Sequence, residues 1–218
     1  MLDIVYDCLD IVKTYADTMT VQRAVLDAAL EIIAADGPDL VSMREVARRA
    51  KVSHQAPYHH FGDRSGIFAA ISAEGFSILT KEFQKVIAKG PGSARRCFEA
   101  YVTVALEHPA HFRVMFRSDL CGFATHDATR VAADEAFNEL MNMVEHTIGR
   151  PSDDRESFTW ATLLWSTAHG LSTLILDGPL QPKLPPGTSL ESVIGDVVDL
   201  MSGMVERQAS LMGLHPNV

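Results

Sequence analysis

Apolar residues recur every three or four positions along almost the whole chain, which is the spacing of one face of an α-helix. Between residues 20 and 36, for example, Val21, Val25 and Ile32 fall on one stripe. No segment alternates apolar and polar residues as a half-buried strand would. Helices are predicted over residues 2–18, 20–36, 42–49, 53–60, 63–89, 93–107, 109–118, 124–148, 153–177 and 189–212. We therefore expect an all-α fold of about nine to ten helices.

Residues 42–61, SMREVARRAKVSHQAPYHHF, form a pattern of their own. Ser42 is expected to cap the first of two short helices, with Glu45 completing a capping box, and Ser53 is expected to cap the second. A turn of about three residues at 50–52 separates the two helices, and the small side chain of Ala47 lets them cross closely. This pattern is typical of a helix-turn-helix motif, whose second helix enters the major groove of DNA.

The charge distribution supports this interpretation. The 218-residue chain has a net charge of −9, which argues against sequence-independent binding of nucleic acid by the whole molecule. Residues 42–64, however, carry five basic and two acidic side chains, so they are net +3 while the remainder is −12. Because phosphate contacts supply much of the affinity for DNA, a basic island in an acidic chain indicates a DNA-binding face.

The segment 42–68 resembles the DNA-binding domain of TetR-type bacterial regulators. The resemblance rests on a run of motif positions without a gap: Ser42, Val46, Ala47, Ala50, Val52, Ser53, Tyr58, His60, Phe61 and Arg64. It implies a three-helix DNA-binding domain, a long linking helix and a helical body that binds a ligand and dimerises. We accordingly predict an N-terminal helical extension over residues 1–19, the DNA-binding domain over 20–65 and the ligand-binding and dimerisation domain over 66–218.

Two positions depart from the family pattern. Lys51 stands where the family usually has glycine in the turn, so a left-handed backbone there would add strain on the order of 1 kcal/mol; the Lys51 side chain could also reach a phosphate. Pro57 lies early in the recognition helix, just past the free N–H groups of the first turn if Ser53 is the cap.

The expected DNA contacts follow from this geometry, because the N-terminal end of a recognition helix points into the groove. His54, Gln55 and Ala56 are the candidates for reading bases, since glutamine can bind adenine and an alanine methyl can touch thymine. The resemblance and their hydrogen-bonding groups imply phosphate contacts for Ser42, Ser53, Tyr58, His59 and Arg64. Arg44 is assigned to a phosphate or to the minor groove, and His60 completes the predicted DNA-binding set. The alternative is a solvated basic helix pair within a core bundle.

The C-terminal body contains a second, weaker resemblance. In the segment 160–170, WATLLWSTAHG, Trp165, His169 and Gly170 resemble the W…HG pattern of one TetR subgroup. Trp165 and His169 share a helix face, so they either line a ligand cavity or form part of a packed core. Further candidate pocket walls, for which plain core is the alternative, are Phe112, Met115, Phe116, Phe123, Phe137 and Met141.

A homodimer is expected, because helix-turn-helix proteins usually read two half-sites. The last two long helices are the expected interface, and an apolar stripe on the final one consists of Val193, Val197, Leu200, Met201 and Met204. The alternative is that this stripe packs only on its own body. We thus expect a non-enzymatic repressor that binds a near-palindromic DNA operator as a dimer and responds to an unknown small molecule.

Other features of the sequence bear on the cellular compartment and on the alternative functions. Three scattered cysteines without metal-binding spacing indicate reduced thiols in a cytoplasm, and acidic residues near the N-terminus argue against a signal peptide. Residues 157–176 lack charged side chains, but eight of them are Ser, Thr or His, so they predict a buried helix and no membrane span. No cofactor is expected. The rival functions are a helical metal-dependent enzyme using His108, His111 and His169, and an interaction protein that does not bind DNA.

Overall fold

The computed structural model describes residues 20–90, 93–122 and 126–211, and within these ranges it is all-α, as predicted. The predicted helix over 2–18 lies outside the described residues, as does Phe123. The helices are α1 (20–36), α2 (Met43–Ala50), α3 (Ala56–Phe61), α4 (Arg64–Ile87), α5 (Ser93–Glu107), α6 (Pro109–Met115), α7 (Ser118–Cys121), α8 (Asp127–Ile148), α9 (Arg155–Leu176) and α10 (Leu190–Leu211).

Most predicted helix bounds agree with the structure to within three residues. The helix expected over 109–118 is shorter: α6 ends at Met115, and a separate single turn, α7, follows it. The break is stabilised by hydrogen bonding, since the Arg117 N–H donates to Val114 O, and α7 ends at Gly122 in a left-handed conformation. The proline-rich loop after α9 contains a short 3-10 turn, Gln181–Lys183.

The chain divides into two compact units, and the division falls inside α4, between Ala73 and Glu74. The first unit contains α1–α3 and the start of α4, and Ala110–Arg130 also belongs to it. The second contains the rest of α4, α5, most of α8, α9 and α10. The return of residues 110–130 to the helix-turn-helix unit is a long-range feature that the sequence pattern did not predict. The functional division after residue 65 stays a prediction.

The first unit has a continuous apolar core built from α1, α2, α4, α6 and α7. Its buried side chains are Val25, Ala28, Ala29, Ile32, Ile33, Val41, Met43, Val46, Ile67, Phe68, Ile71, Ala110, Val114 and Cys121. Side-chain hydrogen bonds add to this packing: Ser72 Oγ donates to Met115 O at 3.1 Å, and Thr129 Oγ1 donates to Ala69 O at 2.9 Å. The head that carries α2 and α3 is therefore anchored by the returning segment as well as by its sequence neighbours.

In the second unit α5 packs against both α9 and α10. α9 buries one face, which consists of Ser157, Ala161, Leu164, Ala168, Leu171 and Ser172. An ion pair between Arg95 and Asp199 ties α5 to α10, and Gln208 Nε2 donates to Glu156 Oε1 at 2.5 Å between α10 and α9. None of the described helices is both long enough and apolar enough to cross a lipid bilayer.

The turn between α2 and α3 contains a strained residue. Lys51 has φ 56° and ψ 35°, and within the described ranges it is the only residue other than glycine with a positive φ. Lys51 N donates to Arg48 O at 3.3 Å and Val52 N donates to Ala47 O at 3.1 Å. This pair of bonds is the Schellman motif that glycine usually completes, so the departure at Lys51 has the conformational cost that the sequence predicted.

Lys51→Gly is expected to raise the free energy of unfolding by about 1 kcal/mol, because glycine adopts a left-handed backbone without a Cβ clash. Urea unfolding monitored by circular dichroism measures the change. Lys51→Ala is the matched control, since it removes the charge but keeps the Cβ and should give no such gain. Equal stabilities of the glycine and alanine variants would contradict the strain.

Candidate functional site

The N-terminus of α2 has the predicted cap. Ser42 has an extended backbone, and its Oγ accepts a hydrogen bond from Glu45 N at 3.2 Å. The capping box is only half formed, because the Glu45 carboxylate accepts hydrogen bonds from Arg48 and Arg49 instead of turning back toward Ser42. Val46 and Ala47 are buried, so α2 presents its opposite, basic face outward.

The recognition helix starts later than predicted. α3 comprises Ala56–Phe61 with Gln55 at the cap position, so the expectation that Ser53 caps it is wrong. If Ser53 were the cap, Pro57 would be required to donate a hydrogen bond to Ser53 O, and proline has no N–H. Instead Ala56 N donates to Ser53 O at 3.1 Å in a separate turn, and Pro57 occupies the second helical position, where its missing N–H costs nothing.

Most of the predicted DNA-binding residues lie on the surface. Exposed members are Ser42, Arg44, Ser53, His54, Gln55, Tyr58 and His59, while Ala56, His60 and Arg64 are half-buried. Ser42, Arg44 and His54 line one groove of about 410 Å³, together with Glu45 and Arg48. The structure thus brings the start of α2 and the turn before α3 to a common groove.

Arg64 has structural contacts of its own. Its Nη2 donates to Pro38 O at 2.8 Å, and its guanidinium carbon lies 4.9 Å from the centre of the Phe68 ring. These contacts link the start of α4 to the 3-10 turn Pro38–Leu40 after α1. Its assignment as a phosphate ligand stays a prediction, and the hydrogen bond to Pro38 O would compete with that role.

The basic charge of the motif is partly compensated inside it. Arg48 binds Glu45 through two hydrogen bonds of 2.6 and 2.8 Å, and Arg49 contacts Glu45 at 2.9 Å and Asp36 at 3.1 Å. Hydrogen bonds from the two arginines lower the pKa of Glu45 to about 2, so its carboxylate is charged throughout the neutral range. Two arginines and two carboxylates therefore form a neutral network on this surface.

The second unit contains a polar pair within an aromatic cluster. The Tyr101 hydroxyl lies 2.9 Å from His169 Nδ1, at hydrogen-bonding distance, and the Phe137 ring centre is 6.0 Å from those of both Trp165 and Phe158. Burial raises the pKa of Tyr101 and lowers the pKa of His169. Both side chains are therefore neutral near pH 7. The sequence predicts Trp165, His169 and Phe137 as candidate pocket residues, whereas Tyr101 and Phe158 emerge only from the structure.

Two family models match the chain. The model of bacterial regulatory proteins of the tetR family matches residues 25–71, and the model of the tetracyclin repressor-like C-terminal domain matches residues 94–197. Together they account for about two thirds of the chain and contain both the helix-turn-helix motif and the aromatic cluster. The chain belongs to the TetR family of transcriptional regulators.

Curated relatives agree with this assignment. The HTH-type transcriptional regulator AcrR of Shigella flexneri is 34% identical over 83 residues, which is 37% of each chain. The uncharacterised regulator YobS of Bacillus subtilis is 23% identical over 179 residues, which is 72% of this chain and 93% of that one. The match thus spans little more than a third of AcrR but almost all of YobS.

Solved structures show the same fold. A protein of unknown function from Rhodococcus sp. RHA1 has a TM-score of 0.67 and 27% identity, and the match covers 86% of this chain and 94% of that one. The TetR-family regulator PfmR of Thermus thermophilus has a TM-score of 0.64 and 19% identity, with 82% and 97% covered. The helix-turn-helix and helical body of this TetR-family regulator are therefore shared over most of the chain.

The predicted pocket residues fall into two groups. Phe112, Met115 and Phe116 belong to the helix-turn-helix unit, where Phe112 and Met115 are buried and the Phe112 and Phe116 rings meet edge to face. Met141, on α8 in the second unit, is buried as well. A separate cleft of about 340 Å³ lies between α4 and α5 in the second unit, and its walls include Glu82, Arg96, Glu99, Glu107 and His108. None of the predicted pocket residues lines this cleft.

One residue of the predicted dimer stripe faces inward. Met201 is 7% exposed and lies on the buried face of α10 with Val198 and Val205, so it packs inside the protomer, and its assignment to the dimer interface stays a prediction. Leu200 and Met204 are exposed, and Val193 and Val197 are half-buried. Val193, Val197, Leu200 and Met204 are spaced by four, three and four residues, so they lie on one helical face. Met201 follows Leu200 directly and is therefore rotated away from that face by about 100°.

The histidines suggested for a metal-dependent enzyme are divided between the two units. His108 and His169 belong to the second unit and His111 to the first. Among the residues that the structure describes, no group of three or more His, Cys, Asp or Glu side chains is arranged to hold a metal ion.

Replacing His169 is expected to change how stability depends on pH. The folded state binds a proton at His169 less readily than the unfolded chain, whose histidine pKa is about 6.5. The free energy of unfolding should therefore fall as the pH drops below about 6.5, with a slope from this residue of at most about 1.4 kcal/mol per pH unit. His169→Asn keeps a polar group near Tyr101 and cannot titrate.

Urea unfolding of both proteins between pH 7.5 and pH 5 measures this difference. The variant should show the shallower decline, whatever its stability at pH 7.5, because the two proteins differ only in the side chain at position 169. Parallel pH profiles would show that the His169 pKa is not lowered by folding.

Proposed function

We propose that this TetR-family regulator is a repressor that binds a near-palindromic operator as a homodimer and is released from DNA by a small molecule. The observation that carries the proposal is the common groove of Ser42, Arg44 and His54, beside an exposed recognition-helix N-terminus. The proposal places the regulator in the cytoplasm, where its thiols stay reduced, and assigns it no catalytic activity.

Each exposed side chain of the motif has a proposed role. His54, Gln55 and Ala56 face the bases, because they form the turn and the first residue of α3. The donors proposed to bind phosphates flank them: Ser42, Ser53, Tyr58, His59 and Arg64, with His60 completing the proposed DNA-binding set. Arg44, which is exposed on α2, binds a phosphate or the minor groove. The late start of α3 places His54 and Gln55 on the turn before the helix.

The proposed dimer face combines α9 and α10. On α10 it consists of Val193, Val197, Leu200 and Met204, and Leu200 is 67% exposed in the protomer. On α9 the residues directly opposite the buried face are Thr159, Leu163, Ser166 and Gly170, at spacings of four, three and four. A Cβ at Gly170 would meet no atom within 4 Å, so the protomer has room for a larger residue there. Glycine inside a helix costs about 1 kcal/mol relative to alanine. Close approach of a partner helix in the dimer would explain why glycine is present.

The proposed effector site is the aromatic cluster of Tyr101, Phe137, Phe158, Trp165 and His169. Its polar pair is neutral near pH 7, so it favours an uncharged ligand that packs against aromatic rings and makes one or two hydrogen bonds. The ligand would act by favouring one of two dimer conformations, with α4 transmitting the change between units. A tenfold loss of operator affinity requires a coupling free energy of only about 1.4 kcal/mol.

Selection from a random duplex library tests operator binding directly. Purified protein is mixed with the library at near-physiological salt, and the bound duplexes are sequenced. The expected result is an enriched near-palindrome with half-sites about one helical turn, or a multiple of it, apart. A repeat at low salt allows for weak affinity, and absence of enrichment in both would contradict the proposed operator.

The same selection with Gln55→Ala tests base reading. We expect the preference to relax at one position in each half-site and operator affinity to fall by roughly 1–3 kcal/mol, because a bidentate contact is lost. Gln55 is exposed and packs on nothing in the core, so the fold should be unaffected. Unchanged base preference and affinity would show that Gln55 does not read the operator.

Leu200→Glu is expected to dissociate the dimer, because it introduces a charge at the most exposed residue of the proposed α10 face. Sedimentation velocity should show a protomer where the wild type shows a dimer, and operator affinity should fall because one head reads only one half-site. Val131→Glu is the matched control, since Val131 is also exposed, at 46%, but lies on α8. A Leu200→Glu protein that remains dimeric would exclude this face.

A further inference from the structure

Glu45 lies at the centre of the charge network on α2. Its two carboxylate oxygens bind the Nη2 and Nε of Arg48 in a bidentate arrangement, and Oε1 also accepts from Arg49 Nε. Asp36, at the end of α1, binds the Nη2 of Arg49. Each of the two arginines thus has at least one carboxylate partner before any phosphate approaches.

This network is part of the surface proposed to face DNA. Glu45 and Arg48 line the same groove as Ser42, Arg44 and His54. Arg48 is the most exposed member, with 69% of its side chain accessible, whereas Glu45 is 31% accessible. A phosphate that approaches this groove therefore meets a carboxylate beside the guanidinium groups.

Arg44 provides a contrast on the same helix. It is exposed, and within the described residues it forms no ion pair. Of the three arginines on α2, one is free to bind phosphate and two are already paired with carboxylates. The net charge of +3 over residues 42–64 consequently overstates the charge that is available to DNA.

We propose that Glu45 determines specificity by acting as an internal counter-ion, which keeps Arg48 and Arg49 from binding phosphates and so lowers affinity for DNA of any sequence. The inference rests on the proposed operator binding and adds a residue that touches no base. Low sequence-independent affinity raises the ratio of operator binding to background binding, which is the quantity that decides occupancy in a genome.

The expected size of the effect follows from counter-ion release. Each phosphate that a protein cation neutralises steepens the dependence of log affinity on log salt by about 0.9. Removing the Glu45 charge frees the guanidinium group of Arg48 and leaves Arg49 with Asp36 as its remaining carboxylate partner, so one phosphate contact is gained in full and a second in part. Operator affinity should rise less than affinity for other DNA. On the operator, base contacts fix the position of the protein along the duplex, so the freed arginines meet phosphates only if these lie nearby. On other DNA, the protein can shift along the duplex until the arginines contact phosphates.

The first test compares Glu45→Gln with wild type on the selected operator and on a scrambled duplex of the same length and composition. Fluorescence anisotropy at several salt concentrations gives both affinities and slopes. We expect Glu45→Gln to bind the scrambled duplex roughly three- to tenfold more tightly near 100 mM salt, with a slope steeper by about 1–2. The ratio of operator to scrambled affinity should fall.

Glu82→Gln is the matched control. Glu82 also pairs with a cation three residues later, Lys85, but it lies in the second unit, outside the DNA-binding motif. It changes the net charge by the same amount, so it measures the effect of overall charge alone. Equal changes in Glu45→Gln and Glu82→Gln would overturn the proposal. Thermal unfolding confirms that each variant is folded, and glutamine can still accept hydrogen bonds from the arginines.

The second test removes the two paired charges together, because Arg48→Ala alone would leave the Glu45 carboxylate uncompensated beside the DNA. If Arg48 is held by Glu45, the double variant Glu45→Gln/Arg48→Ala should keep affinity for the scrambled duplex within about twofold of wild type, whereas Arg44→Ala should lower it several-fold with a slope shallower by about 1. A loss in the double variant as large as that with Arg44→Ala would overturn the proposal. So would the absence of any loss with Arg44→Ala, because α2 would then not face DNA.

Different results would contradict the proposed function and the counter-ion role of Glu45. A wild-type protein that binds operator and scrambled duplexes equally would contradict the proposed function, whatever the Glu45 variant does. A wild-type protein that prefers the operator, combined with a Glu45→Gln variant whose scrambled-duplex affinity and slope are unchanged, would retain the proposed function and reject the counter-ion.

Discussion

The surface proposed to face DNA depends on packing beneath it, because the helices that form it are too short to be stable alone. α2 has eight residues and α3 has six, far fewer than an isolated helix needs in water. Val46 and Ala47 hold α2 against a core whose largest buried members include Ile32, Ile67 and Phe68. The orientation of the exposed residues is therefore set by apolar contacts on the opposite face of α2 and by the turn that joins it to α3.

Two local backbone features then set where the recognition helix begins and in which direction it runs. The Schellman motif at Lys51 reverses the chain with one residue in a left-handed conformation, and Pro57 delays the start of α3 to Ala56. The strain at Lys51 is tolerated because the hydrogen bonds of Lys51 and Val52 to the end of α2 are both made. A lysine at this point keeps a positive charge next to the groove at the expense of stability, which is a common compromise at functional sites.

In both units, the charge of a site is set by the immediate surroundings of its side chains. Near the groove proposed to face DNA, the number of basic residues is less informative than the number that lack a carboxylate partner, because Glu45 and Asp36 bind two arginines. In the second unit the groups are uncharged instead of paired as ions. Burial keeps Tyr101 and His169 neutral, and the two side chains lie at hydrogen-bonding distance from each other. In the first unit charge is thus balanced between neighbouring side chains, and in the second it is removed by burial.

The sequence by itself determined the all-α fold, nearly all helix bounds, the helix-turn-helix and its family, since these depend on residue periodicity and on local motifs such as the Ser42 cap. It also located the strain at Lys51. Only the tertiary structure decided that residues 110–130 join the head, that Tyr101 meets His169 across 68 positions, and that Met201 faces inward. Contacts between residues far apart in the chain leave no periodic signal, and which face of a helix is buried depends on the neighbours that the fold supplies.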